Sequence, residues 1–266
     1  MHGSEPPLSL IRNRSGSMRL VGNIVAFATL FSILFFFLHA SDLTTSLLMD
    51  DLDDLGGLPW LYSAVCLIFG ILAGFVIQHE WGQWNDFMDA IKGEVGTLRS
   101  LWLWSQHLPG RGIKLQEAMG QYLTVTIQDE WRAQTSGQSE TASRALALVQ
   151  EEASALFQDS ELRLTAVGII GDLLRYREHR LLSGQQRMPA MLKATVGFAD
   201  GLVIVLSLFI GVKHLWLDYL FTLSIALLAY VVYLVIDDLD HPLRPGIWHV
   251  TSKPYEHLLL QLQQKG

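Results

Sequence analysis

The 266-residue chain holds one cysteine, Cys66, so neither an intrachain disulfide nor a cysteine-built metal cluster can form. Charge is scarce as well. Asp, Glu, Lys and Arg make up 17% of the residues, against about 25% in an ordinary soluble domain. The 19 Lys and Arg are outnumbered by 26 Asp and Glu, giving a net charge of −7, and nowhere do the basic residues form a block. That balance argues against a nucleic-acid surface, which needs clustered cations to displace counterions from phosphates. The P-loop, the dinucleotide glycine fingerprint and the G-x-S-x-G elbow are also missing. What fills the chain instead is apolar: half of its residues are hydrophobic. They gather in uninterrupted runs near 20 residues, which a helix rising ~1.5 Å per residue needs to cross a ~30 Å hydrocarbon core. This is the pattern of an integral membrane protein.

Four runs read as spans: Leu20 to Ala40, Leu58 to Gln78, Ala194 to Val212, and Leu215 to Ile236. A cleavable signal peptide would have an apolar core of roughly 7–15 residues with small residues before the cut. The first run is longer and carries Phe35-Phe36-Phe37-Leu38 near its end, so it reads as a span. Pro59 and Trp60 open the second, as a helix start and an interfacial anchor. The third and fourth are so close that they predict a tight helical hairpin. Lys and Arg mark the cytoplasmic side. Ser41 to Gly57 has none and carries Asp42, Asp50, Asp51, Asp53 and Asp54, so it is expected outside; His79 to Ala190 has eleven. Both termini are therefore expected in the cytoplasm of a multi-pass cell-membrane protein. The expected organisation is a tail with two spans (1–78), a cytoplasmic helical region (79–190), two further spans (191–236) and a cytoplasmic tail (237–266).

The long middle segment lacks strand-like alternation, whereas helical spacing recurs. It appears in Ile91, Val95 and Leu98, in Met119, Tyr122, Leu123 and Ile127, in Leu146, Val149 and Leu156, and in Val167, Ile170 and Leu174. Breaks are expected at Leu108 to Gly112 and Thr135 to Ser139, both rich in turn residues. No proline interrupts Ala64 to His107, so the second span is predicted to continue beyond the membrane as one helix.

Site chemistry is thin. His79-Glu80-Trp81-Gly82-Gln83 begins like a zinc-protease helix, but that site needs a second His at i+4, where Gln83 stands. A calcium loop from Asp51 would put Leu55 and Tyr62 at ligand positions, so an acidic solvated loop is expected. No metal and no cofactor is implied. Nor can a nucleophile, base and orienting group be assembled, so the chain is read as a non-enzyme. Asp200 is the acid furthest inside a span. A carboxylate at the bilayer centre costs ~2.5–3.5 kcal/mol even on lenient scales, so it must face protein or water. It is an ion-pathway residue, a carboxylic acid held by an interhelical hydrogen bond, or one near the cytoplasmic interface, about seven residues or ~10 Å beyond Lys193.

The most specific segment is Leu67 to Arg99, LIFGILAGFVIQHEWGQWNDFMDAIKGEVGTLR. An apolar helix containing Gly74-Phe75 runs into Trp81 and Trp84, then into Glu94, Leu98 and Arg99. This resembles the bestrophins, and more closely the bestrophin-like domain proteins of bacteria, whose function is unknown. Tyr122 with Glu130-Trp131 matches that family's next helix. Asp240-His241-Pro242-Leu243-Arg244-Pro245-Gly246, with Val250 and Pro254, is similar to its C-terminal turn and tail. Val95 and Leu243 depart from the pattern, and the turn is one residue longer.

The resemblance implies an all-α, four-span bestrophin-like fold in a homo-oligomer, a pentamer on the bestrophin pattern, with membrane lipid and a permeant ion as its partners. It implies an anion channel whose pore follows the second span, with Leu67, Ile71 and Phe75 as an apolar neck. Those three fall at i, i+4 and i+8 on one helix face. The acidic outer loop would instead favour cations. The alternative is a non-conducting scaffold or sensor whose cytoplasmic helices bind a partner.

Overall fold

The computed structural model describes residues 8–40, 58–107, 112–131, 139–157, 163–209 and 214–265. The acidic stretch from Ser41 to Gly57, most of both turn-rich breaks, and Lys213 lie outside the described residues. Every described element is helical. In chain order they are α1 (Leu8–Ala40), α2 (Leu58–Gln106), α3 (Ile113–Val125) with a π-helical turn (Thr126–Trp131), α4 (Glu140–Phe157), α5 (Arg163–Gln185), α6 (Ala190–Ser207), α7 (Leu215–Leu239) and α8 (Lys253–Lys265). As the absence of proline predicted, α2 is one helix of 49 residues.

Among the described residues four helices are long and apolar enough to cross a membrane: Met18–Ala40 of α1, α2 from Pro59, α6 and α7. The third begins and ends earlier than its hydropathy implied, at Ala190 and Ser207 rather than Ala194 and Val212. Pro189 is its N-cap, and the Met188 N–H just before it donates to Asp240 Oδ1 at 2.7 Å. Charge does not set the start of a helix where a preformed φ and an acceptor for an orphan N–H are available. The fourth runs three residues past Ile236 because Asp237 and Asp240 accept from Lys193 Nζ at 2.6 and 3.1 Å.

The chain divides into a membrane unit, up to Trp81 plus Arg187–His249, and a helical unit, Gly82–Gln186 plus Val250–Gly266; α2 contributes to both. In the membrane unit Phe69 and Ala73 of α2 pack with Val203 of α6 and Ala229 of α7, and Val76 packs with Met188, Val196 and Ile236. Phe31 and Phe35 of α1 meet Ala226 of α7. Lipid is as apolar as these side chains, so close packing rather than water exclusion holds spans together, and alanines at the crossings permit it. Only 11 to 22% of each apolar window is buried, which leaves most of that surface for lipid or other subunits.

In the helical unit α3 packs on α4 and α8, and α4 on α5. Leu98, Leu101, Leu115, Met119, Leu123, Val149, Leu173 and Leu258 are buried, each stabilising by roughly 1.5–3 kcal/mol through water exclusion. A Cβ at Gly93 would strike the Tyr176 ring, so glycine is what lets α2 and α5 approach there. One expectation is corrected: α5 turns Ala166, Leu173, Arg177 and Arg180 inward, while Val167 and Leu174 stay exposed. Two arginines displace apolar residues from the core face because two buried glutamates await them.

Candidate functional site

Four of the motif residues, Glu94 of α2, Tyr122 of α3 and Glu130 and Trp131 of the π-helical turn, converge inside the helical unit. Glu94 lies on the buried stripe of α2 with Ile91, Val95 and Leu98, and Tyr122 on that of α3. The π-helical turn then carries Glu130 and Trp131 inward. Turns of this kind often interrupt α-helices at functional positions, and nothing in the hydropathy pattern announced it.

Glu94 and Glu130 are held by two arginines of α5. Arg180 Nε donates to Glu94 Oε2 at 2.6 Å and its Nη2 to Glu130 Oε2 at 2.7 Å; Arg177 Nη2 donates to Glu130 Oε1 at 2.9 Å. Glu94 also accepts from the Tyr122 hydroxyl and, at 3.0 Å, from the Tyr255 hydroxyl of α8. The Arg177 guanidinium lies over the Tyr122 ring and that of Arg180 over Tyr255, each 5.7 Å from the centroid. Burial, and then the Glu94 carboxylate, push the Tyr122 hydroxyl well above its ordinary range. Burial does the same to Tyr255, with Arg180 opposing and Glu94 assisting. Both tyrosines therefore stay protonated donors. Burial works against the Arg180 cation, but Glu94, the two tyrosines and Glu130 outweigh it and hold the cation above its usual range. Arg177, Arg180 and Tyr255 escaped the sequence reading. Their only signal was that both arginines share a helical phase with Ala166 and Leu173.

The C-terminal turn forms a second constellation, in the membrane unit. Asp238 Oδ2 accepts from the backbone N–H of Ile247 at 2.8 Å and of Trp248 at 3.2 Å. Trp248 meets the edge of Trp81 with centroids 6.2 Å apart. Gly246 lies against Asp238, where a Cβ would collide with the carboxylate. We expect Gly246→Ala to cost about 1–3 kcal/mol, the range of overpacking, seen as a lowered Tm of the purified protein. Adding Asp238→Ser should then recover part of the loss by removing the clash. Asp237, Asp240 and His241 offer ligand atoms within 4.8 Å of one another, but Lys193 Nζ already bonds both aspartates. An ammonium thus supplies the positive charge that a metal would bring.

Arg99 is exposed, Trp84 is half-buried, Pro242 is buried, and Trp81 is partly open. Asp200 is buried in α6, and its Oδ1 has no hydrogen-bond partner among the described residues. Leu67, Ile71 and Phe75 are 65%, 53% and 72% exposed, on one face of α2.

Solved structures share this fold. The crystal structure of a bacterial bestrophin homologue from Klebsiella pneumoniae superposes with a TM-score of 0.68 at 13% identity, covering 93% of this chain and 99% of that one. A variant of that homologue gives a TM-score of 0.70 at 11% identity over 91% of this chain and 97% of its own. At such identity the likeness is one of fold. No curated protein matches the chain. The bestrophin-like domain itself spans residues 24–255, and with the four apolar helices this shows that the chain is a membrane protein belonging to the bestrophin-like domain family.

Proposed function

We propose that the protein is an oligomeric membrane channel of bestrophin type, conducting anions through a pore lined by α2 from several copies. One observation carries the reading. The bare face of α2 that holds Leu67, Ile71 and Phe75 continues at helical spacing through Gln78, Asn85 and Asp89, all exposed. At Gly70, Gly74, Gly82 and Gly96 a Cβ would meet only open space. From Leu67 to Gly96, ~44 Å of helix, this side of α2 stays open among the described residues, with Asp89 paired to Lys92 one turn on, as a helix lining a water column requires. The apolar residues would form a neck that closes by dewetting, and the amides and carboxylates beyond it would line a wider vestibule. Asp200, buried without a partner for Oδ1, is assigned to the ion pathway. The Lys/Arg distribution orients both termini to the cytoplasm.

Planar-bilayer recording of purified protein in a salt gradient tests this. A single-channel current reversing near the anion equilibrium potential is the expected result. Silence across preparations that assemble normally would leave the alternative, a scaffold whose helical unit binds a partner. The second reading, cation conduction, is favoured by Asp86, exposed at the edge of the same α2 face, and would reverse the sign of the potential.

One helix cannot enclose a pore, so the channel reading also requires self-association. Native mass spectrometry in mild detergents should give a homo-oligomer, a pentamer on the bestrophin pattern. A purely monomeric spectrum in every detergent would count against the channel.

A further inference from the structure

Arg99 ends the most specific segment of the sequence, yet neither the buried cluster nor the apolar neck uses it. It is exposed on α2 and makes no hydrogen bond or ion pair among the described residues. The other basic residue of that helix, Lys92, is held by Asp89 at 3.0 Å. Ile71, Gln78, Asn85, Lys92 and Arg99 recur every seven residues and are all exposed. Seven residues are close to two helical turns, and a drift of ~20° per heptad keeps Arg99 within about a quarter turn of Ile71. Helical side chains lean toward the N-terminus. The guanidinium is thus carried toward Gly96, one turn back, where a Cβ would meet only open space.

That placement excludes two ordinary uses of an arginine. About 32 Å of helix separates it from Gln78 at the end of the span, too far for its side chain to snorkel to lipid headgroups. An arginine that stabilised its own subunit would meet a carboxylate, as Arg177 and Arg180 do. Asp89 and Lys92 cancel each other on this side of α2, which leaves Arg99, and Asp86 at the edge, uncompensated among the described residues. These two lie ~20 Å apart along the helix, well beyond a screening length of ~8 Å at physiological ionic strength. Each therefore acts on its own stretch of a water column. Where several copies surround that column, their Arg99 cations repel one another, and a small anion entering between them relieves the repulsion. A cleft lined by one sign of charge raises the local concentration of its counter-ion by ~10–10³-fold.

We propose, resting on the channel reading, that Arg99 is the specificity-determining residue of the pore: a ring of its guanidiniums, one from each copy, holds small inorganic anions such as chloride in transit and turns cations away. Reversal potentials of the purified oligomer in a potassium chloride gradient test it. Arg99→Gln should lower the anion-to-cation permeability ratio at least about tenfold, the low end of that focusing effect. Arg99→Lys keeps the charge and should stay near the parent. Because a substitution can disturb assembly, the charge is also changed afterwards. In Arg99→Cys made on Cys66→Ala, a cationic thiosulfonate reagent should restore the anion preference and an anionic one should reduce it further. A parent without current would overturn the channel reading and the selectivity ring together. A parent that conducts anions, with Arg99→Gln reversing at the same potential, would overturn the ring alone. So would loss of the oligomer from the Arg99→Gln mass spectrum with unchanged selectivity in the channels that remain, the mark of an arginine that pairs across copies. A parent current reversing near the cation potential would overturn the ring and leave the pore itself standing.

Discussion

Glu94→Ala is expected to cost the helical unit about 3–5 kcal/mol, the range for removing one partner of a buried ion pair. That is a large share of the roughly 5–15 kcal/mol that holds a domain together. The reason is what remains behind. Arg180 would keep its contact to Glu130 but lose the acceptor of its Nε–H, and two buried tyrosine hydroxyls would lose theirs at the same time. Glu94→Gln keeps an acceptor oxygen and the side-chain volume, so it should cost clearly less. Denaturant titration followed by tryptophan fluorescence would read both, since Trp131 packs 5.9 Å from the Tyr255 ring at the edge of the cluster. Glu94→Ala unfolding at the parent's midpoint would show that the network contributes nothing to stability.

The second large effect is expected in current. Ile71→Ala with Phe75→Ala should raise basal conductance on the order of tenfold or more, because each ~1.4 kcal/mol removed from a barrier to passage is a factor of ten in rate. In an apolar neck the barrier is the dewetting of a narrow ring; truncating two of its three layers widens it and admits water. Neither side chain holds up its own subunit, being 53% and 72% exposed, so the double variant should assemble like the parent. On a lipid-facing stripe the same truncations would leave the current unchanged, and that result in a normally assembled protein would end the gate assignment.

Much of the architecture could be read from the linear pattern. A hydrocarbon core accepts only segments that satisfy their own backbone hydrogen bonds. An apolar run of sufficient length therefore identifies a span by itself, and four such helices are present. The same local logic gave α2 its continuity, since no proline intervenes to remove a hydrogen bond. The resemblance to the bestrophin-like family, not the linear pattern, marked Glu94, Tyr122, Glu130 and Trp131 as a set, and only by their order along the chain.

Their meaning was decided in three dimensions. Glu94 and Arg180 are 86 residues apart, and Glu94 and Tyr255 are 161 apart; no periodicity links them. The apolar spacing of Val167, Ile170 and Leu174 pointed to the wrong face of α5, because hydropathy scores each side chain alone. Burying an arginine is costly or tolerable depending on the carboxylate it meets. That partner is supplied by α2 and by a π-helical turn whose existence the sequence did not declare. Segment length and polarity are properties of a stretch, so the sequence determined the spans. Charge compensation is a property of pairs, so only the tertiary structure could turn Arg177 and Arg180 inward.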